Sequence, residues 1–504
     1  MYHYNLNQYF KEISKIYKNK TALIDLNDKK YTYGYLDKKS DMFASKIQNF
    51  KKEDLCAVGI DSKKNVNTII AFLGCLKSGV TYFFLDLNLP NKRIKKIIKK
   101  TKCKILISDE KKNKLFAKVI SIKTKTNNKK ITIRNCSSDN PAYIMFTSGS
   151  TGEPKGAIIS QQSIINFINW SRKSFKITPK DIFSQLNPLY FDNSVFDLFN
   201  SLFNGSTLVL TNGLEIENPV NLLKKIKKNK CSIWFSTPSL LIYFLNFDLL
   251  DKIKLKFINK IIFGGEGFPK QKLINLIKKV GRKSYYNVYG PTECTCICSR
   301  HLIDKSDLVY NKESYVTLGK IAENFDYLIL NNKNKIVKPG KVGELVLFGP
   351  NVAYGYIGDD EITRKNFIYG KKYFNYQRGY RTGDLVYYNP KQDKIYFVGR
   401  KDTQVKHLGY RIELNELEVT LNKHAQVNEA FVFYLKNKSE THGKIIAVLS
   451  VKKKIEKSEI LFFLKKYLPK YFLPKYVFFT KNLLKNSSNK IDRVKLKKIY
   501  EKKI

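Results

Sequence analysis

Apolar residues along this chain come in short runs punctuated by glycine, and the period and length of each run predict its element. Tyr143–Phe146 and Ala157–Ile159 are apolar runs of strand length on either side of a hydroxyl- and glycine-rich segment, which predicts strand, loop, strand. Tyr31–Leu36 with Ala44 predicts a strand running into an amphipathic helix, and Ile69–Lys77 an apolar helix closed by Gly79. Val80–Leu85 then reads as a strand before the turn 86–90. Tyr190–Phe199 predicts an aromatic helix start, with Asp197 expected as an ordinary cap or surface charge. Phe263–Gly267 reads as a strand end turning over glycines, and Gly343–Gly349, with the aromatic Tyr354–Tyr356, as a β-rich block of structural role. The last hundred or so residues carry enough of both periods for a small α/β unit. Strands alternating with helices in this way predict the α/β class.

Length and composition narrow the class further. At 504 residues the chain can form two or three domains with large cores, and 43% hydrophobic with 13% aromatic residues excludes a disordered chain. The N-terminus lacks a charged-then-apolar leader, and the richest apolar run, 68–87, is interrupted by Lys77 and Asp86. A soluble, cytoplasmic protein with no membrane partner is therefore expected. The net charge of +49 raises nucleic acid as a partner. The excess is nearly all lysine, however, scattered among Asn and Ile, with no arginine-and-aromatic platform. The expectation is no nucleic acid, and a basic surface suited to steering an acidic protein partner.

Eight cysteines include no CxxC pair, and no two of the five histidines adjoin, so zinc is not expected. Cys294, Cys296 and Cys298 alternate and are expected on one face of a strand, as buried, reduced thiols.

The segment Phe146–Gly156 carries the chemistry. Gly149, Gly152 and Gly156 let backbone N–H groups turn toward an anion, Thr147, Ser148, Ser150 and Thr151 add hydroxyl donors, and Lys155 adds a positive charge. It is not the nucleotide P-loop, because Lys155 is followed by Gly156 instead of Ser or Thr. Further strings follow in order: Phe191-Asp192-Asn193-Ser194-Val195, Tyr285–Glu293, Tyr380–Asp384, Phe397–Glu413 and Asn489–Arg493.

Together these strings closely resemble the stations of the adenylate-forming superfamily, which holds acyl-CoA synthetases, luciferases and the amino-acid adenylation enzymes of nonribosomal peptide assembly. The resemblance implies a large N-terminal AMP-binding domain over 1–401 and a small mobile lid over 402–504, pivoting at Asp402. It implies ATP and Mg²⁺: Thr147 to Thr151, Gly152 and Lys155 around the phosphates, Asn287, Tyr289 and Gly290 at the adenine, Thr292 and Glu293 toward phosphate and metal. Thr147 is implied as a second metal group, Asp384 at the ribose hydroxyls, and Arg400 near ribose and phosphate. Lys490 is implied as the lysine bridging substrate carboxylate and α-phosphate, the catalytic group together with Glu293 and Thr147. Asp192 is implied to pair with the α-ammonium of an amino acid. Aligned by these motifs, the substrate wall is Asp192, Asn193, Phe196, Phe235, Ile262, Gly264, Val288, Cys296, Ile297 and Lys490, mostly apolar, which suits a small or branched aliphatic side chain.

The chain also resembles D-alanine carrier-protein ligases, a group that usually has Cys where Gly264 stands. No Ser-bearing attachment motif follows Lys490 before Ile504, so the expected acceptor is the phosphopantetheine thiol of a separate, acidic carrier protein. An acyl- or aryl-CoA ligase would share every ATP motif and stays open at this level. A non-catalytic basic nucleic-acid binder is the remoter alternative.

Overall fold

The structure is a computed structural model. It describes residues 3–48, 50, 56–110, 113–122, 136–149, 152–212, 218–247, 249–252, 255–308, 315–369, 378–436, 443–486 and 491–504. Contacts divide the chain into two compact units. The larger comprises Met1–Leu87, Ile98–Phe146 and Gly156–Lys401; the smaller comprises Asn88–Ile97, Thr147–Lys155 and Asp402–Ile504.

The larger unit is built on three sheets. A nine-stranded sheet runs, in spatial order, Lys320–Ile321, Ser299–Leu302, Ser284–Tyr289, Lys260–Gly264, Ile233–Ser236, Ile182–Gln185, Thr207–Leu210, Thr21–Ile24 and Lys30–Thr32. Its central strands are parallel and both edges antiparallel. Both faces are covered, as parallel sheets require: Phe235, Ile262 and Tyr286 enter one core, while their neighbours Trp234, Ile261, Phe263 and Tyr285 enter another. A six-stranded sheet orders Lys118–Ile120, Ile105–Ile107, Val58–Asp61, Tyr82–Leu85, Pro141–Thr147 and Lys155–Ser160. The third sheet centres on Arg378–Asn389, paired with Gly343–Phe348, Phe367–Tyr369 and Lys394–Arg400.

Local signals account for the element ends. The helix Val66–Ser78 starts where the Asn65 side chain accepts from the Thr68 N–H, and it stops at Gly79, whose φ of 69° is costly for any residue with a Cβ. The strand running into a helix expected from Tyr31–Leu36 and Ala44 is present, as the strand Lys30–Thr32 and the helix Tyr33–Ile47. Thr32 caps that helix by accepting from the Tyr35 N–H, so Tyr33 is already helical.

Two expectations are corrected. Cys294, Cys296 and Cys298 do not share a strand face: Thr292–Cys294 is a 3-10 turn, and Thr295 and Cys296 have φ of 56° and 74°, outside the range of an extended strand. All three are nonetheless buried, none of the eight cysteines is in a disulfide, and Cys56 is exposed. Asp197 is neither a cap nor a surface charge. Its side chain lies fully buried inside the helix Asn193–Leu202, where it accepts a 3.3 Å hydrogen bond from Asn187.

The smaller unit packs the helices Leu414–Leu421, Lys457–Lys465 and Arg493–Glu501 with the sheet Val427–Leu435, Lys444–Val451 and Tyr476–Thr480. A hairpin joins Gln404–His407 to Tyr410–Glu413 through Leu408 and Gly409, both at positive φ. Two ion pairs tie it together. Arg93 reaches the buried Glu416 at 2.6 Å, and Arg493 grips Glu418 through two nitrogens at 2.8 and 2.6 Å. Among the described residues, no helix is long and apolar enough to cross a membrane.

Candidate active site

The carboxyl ends of the parallel strands in the larger unit bring several of the expected residues together. Phe235 and Ile262 are register partners on adjacent strands, and Gly264 and Val288 are partners one strand further on. The rings of Phe196 and Phe235 meet edge to face with centroids 5.0 Å apart. Phe196, Phe235, Ile262, Val288, Cys296 and Ile297 are buried in one apolar cluster, so this wall is continuous with the core. Gly264 is required by close packing: a Cβ there would sit 2.5 Å from the Val288 carbonyl oxygen. Asn193, half-buried, opens the helix Asn193–Leu202.

Asp192 stands at the N-cap position of that helix and does not cap it. Its own φ and ψ, −60° and −30°, are helical, and its side chain makes no capping hydrogen bond. Instead its Oδ2 accepts from the Thr292 hydroxyl at 2.5 Å. The next residue, Glu293, is fully buried and accepts from the Tyr356 hydroxyl at 2.6 Å, while its carbonyl accepts from the Ala353 N–H. The negative charge of Asp192 is felt nearby. Burial first, and the Asp192 carboxylate in addition, push up the Tyr143 hydroxyl and the Cys296 thiol.

A second constellation gathers around Asp384. Its Oδ2 accepts from the Tyr289 hydroxyl at 2.5 Å, its Oδ1 from Arg400 at 2.7 Å, and Arg400 also donates to the Thr382 carbonyl. Burial and the Asp384 charge hold the Tyr289 phenol well above its ordinary pKa, so it remains a donor. The Asn287 amide donates to the Thr317 carbonyl at 2.7 Å. At Gly290 a Cβ would lie 2.2 Å from the Cys296 carbonyl oxygen, so only glycine allows the two main-chain segments to approach this closely.

The hydroxyl- and glycine-rich loop belongs to the smaller unit. The Ser148 hydroxyl donates to the Arg411 carbonyl at 2.6 Å, the Gly152 N–H to the Gly149 carbonyl at 3.1 Å, and Lys155 lies 3.7 Å from Glu413. A Cβ on Gly149 would collide with the Glu153 carbonyl, and Gly152 has φ of 80°. Thr147 is half-buried at the end of its strand. Asp402 is exposed and accepts from the Gln404 N–H. Ser150, Thr151 and Lys490 lie outside the described residues.

The residues present fit a nucleotide and a hard cation by their chemistry. Glu293 offers carboxylate oxygen, the ligand type magnesium takes, and Asp384, fixed by Tyr289 and Arg400, presents an acceptor suited to ribose hydroxyls. A separate group, His301, Asp304 and Asp307, has ligand atoms within 4.8 Å of one another. It is accounted for by its own hydrogen bonds, His301 to Asp307 at 2.6 Å and the Asp304 N–H to Asp307 at 2.9 Å. Tyr356 was not identified as a site residue from the sequence, where Tyr354–Tyr356 reads as structural. Its only sequence signal was that aromatic block, and its contact with Glu293 spans 63 positions.

The profile of the AMP-binding enzyme family matches residues 10–357. The chain belongs to this family. It is an AMP-forming ligase with the adenylation-domain fold. It is 30% identical over 492 residues to the D-alanine–D-alanyl carrier protein ligase of Bacillus licheniformis, covering 93% of this chain and 94% of that protein. It is 31% identical over 496 residues to bacitracin synthase 1 of Bacillus licheniformis, covering 97% of this chain but only 9% of that much longer protein. Among solved structures, PA1221, a nonribosomal peptide synthetase protein containing adenylation and PCP domains, superimposes with a TM-score of 0.86 at 22% identity, over 99% of this chain and 84% of that one. The Vibrio cholerae adenylation domain AlmE, in complex with glycyl-adenosine-5'-phosphate, gives 0.82 at 21% identity, over 99% of each chain.

Proposed function

We propose that this AMP-forming ligase activates an amino acid and passes it to the phosphopantetheine thiol of a separate carrier protein. The observation that carries the reading is Asp192. A carboxylate that forgoes its helix cap, at the head of the helix whose Phe196 packs against Phe235 and close enough to Cys296 for its charge to act on that thiol, is matched by a ligand with a cationic amine and an apolar side chain. A charged amine left unpaired in such a place would cost several kcal/mol, on the order of 3–5. Apart from Asp192, Asn193 and Lys490 the wall named by the motifs is apolar, and among its described residues none besides Asp192 is charged, so a small or branched aliphatic amino acid fits best. The 30% identity to a D-alanine–D-alanyl carrier protein ligase over nearly its full length supports an amino-acid substrate and a carrier acceptor. Carriers of this kind are expected to be acidic, and the net charge of +49 would steer such a partner in.

In this reading the substrate carboxylate oxygen attacks the α-phosphorus of ATP, the bond to pyrophosphate breaks, and aminoacyl-AMP forms. No side-chain nucleophile takes part. Magnesium, when bound, neutralises phosphate charge. The chain's own residues orient and stabilise: Asp192 holds the amine, Asp384 and Arg400 hold the ribose, Glu293 supplies a metal ligand, and Lys155 and Lys490 offset the charge that builds at phosphorus. The region 402–504 acts as the lid and Asp402 as its pivot, with the Gly409 turn replacing Lys490 for thiol transfer, in which the thiol sulfur attacks the aminoacyl carbonyl, the acyl–phosphate bond breaks and AMP leaves. The test is ATP–pyrophosphate exchange screened over amino acids, fatty acids and aryl acids. Exchange with small aliphatic amino acids is expected. Exchange driven only by acids without an amine would place the chain among acyl- or aryl-CoA ligases instead.

A further inference from the structure

We infer that Asn187 is a positioning residue for the substrate wall, fixing the spacing of Phe196 and Phe235 and with it the length of side chain the site accepts. This inference rests on the substrate wall of the reading above. Phe196 belongs to the helix Asn193–Leu202 and Phe235 to the strand Ile233–Ser236, and their rings meet with centroids 5.0 Å apart. Apolar contact is weakly directional and lets two elements slide, so a fixed spacing needs hydrogen bonds. The side-chain amide of Asn187 supplies them. Its Nδ2 donates to the Phe235 carbonyl at 3.0 Å and to Asp197 Oδ2 at 3.3 Å, and Asp197 directly follows Phe196 in the helix. One amide group, 10 positions from the first carrier of the wall and 48 from the second, thus ties both together.

The tie stands where the sheet stops making one. The parallel strands Ile182–Gln185 and Ile233–Ser236 pair Phe183 with Ile233 and Ser184 with Trp234, and that pairing ends there. One residue further on, the Phe235 carbonyl accepts from the Asn187 side chain. Parallel strands that part at their carboxyl ends open the crevice a ligand uses, and Asn187 limits how far these two part. Asn187 is itself anchored. Its carbonyl accepts from Gln185 Nε2 at 2.5 Å, while the Gln185 carbonyl accepts from the Thr211 hydroxyl at 2.7 Å and from Lys64 at 3.2 Å. Gln185 and Asp197 are fully buried and Asn187 is 7% exposed, so water does not readily take the place of these bonds.

The experiment is pyrophosphate exchange by wild type, Asn187→Leu and Asn200→Ala over an aliphatic series of amino acids of increasing length, with KM for ATP measured alongside. Asn187→Leu keeps the volume and removes both bonds. A wall of fixed width separates acids one methylene apart by roughly tenfold to two-hundredfold in kcat/KM. Asn187→Leu is expected to lower that ratio, preferred acid over the next longer one, by about tenfold, through the amino-acid KM and with KM for ATP at the wild-type value. Asn200→Ala removes a buried contact of the same helix, with Ser171, and is expected to lower the melting temperature while leaving the ratio intact. Should Asn187→Leu misfold, Asn187→Ser, too short for either partner, is read by the same ratio. A lowered melting temperature with the wild-type ratio would overturn the inference, as would a change confined to KM for ATP. Wild-type exchange driven only by acids without an amine would overturn the amino-acid reading alone, and the ratio is then read in that series.

Discussion

Substituting Gly264 by alanine probes the wall of the candidate substrate site with a single methyl group. The methyl carbon would lie 2.5 Å from the Val288 carbonyl oxygen and 2.6 Å from Val288 Cγ2, against an ordinary contact of 3.4–4 Å. The side chain of Val288 can rotate, but its carbonyl cannot: Val288 is the register partner of Gly264 in the parallel pair Lys260–Gly264 and Ser284–Tyr289. Relief therefore requires the two strands to part by close to an ångström at the end that carries Asn287, Tyr289 and the turn to Glu293. Overpacking of this kind costs about 1–3 kcal/mol. In a unit of this size that corresponds to a fall of roughly a few degrees in the melting temperature. Because the strain falls on Val288 and the residues following it, the amino-acid KM should rise as well. The assays are thermal unfolding followed by circular dichroism, and pyrophosphate exchange with the amino acid varied. A Gly264→Ala protein with wild-type melting temperature and wild-type KM would show that the strands yield without cost and that the packing argument is wrong. Gly264→Cys, which resembles D-alanine carrier-protein ligases at this position, carries the same Cβ and is expected to lose stability to at least the same degree.

Two other perturbations follow from specific contacts, and a third, at Lys490, from the motif resemblance. Glu416→Ala would leave Arg93, only 8% exposed at its side chain, as an unpaired buried cation, and a loss of roughly 3–5 kcal/mol is expected; urea unfolding measures it, and a loss of less than about 1 kcal/mol would mean that water reaches Arg93. Lys490→Ala should lower the rate of adenylation by about a hundred- to a thousandfold, the usual loss for one electrostatic contact to a transition state, and wild-type pyrophosphate exchange would remove Lys490 from the mechanism. Asp197 is held well above its ordinary carboxyl value of 3.8, chiefly by burial, so the native state keeps a proton that the unfolded chain releases. Its contribution is fully present below that unfolded value and is lost as pH rises through the native one. Asp197→Asn, which cannot ionise in either state, should therefore gain stability relative to wild type as pH rises above the ordinary carboxyl value; a difference that stays constant with pH would mean that Asp197 is ionised in the native protein.

Much of this protein was determined by sequence alone, because its signals are local. The strand–loop–strand around Phe146–Gly156 follows from two apolar runs and the residues between them, and the helix ending at Gly79 follows from period and punctuation. The ordered strings from the loop to Asp384 were sufficient to indicate the family, and the profile over residues 10–357 shows it. What only the tertiary structure decided is which of those residues meet. Thr292 and Asp192 are 100 positions apart, Tyr289 and Asp384 are 95, and Glu293 and Tyr356 are 63. Such pairings depend on strand order and turn direction, which no local period encodes. Asp197 reads as an ordinary helix-start carboxylate until the fold closes over it, and the alternating Cys294, Cys296 and Cys298 read as a strand until two left-handed residues break the alternation. Likewise, only packing assigns 88–97 and 147–155 to the same unit as the C-terminal hundred residues. Residue type specified the available donors and charges, and chain topology specified their partners.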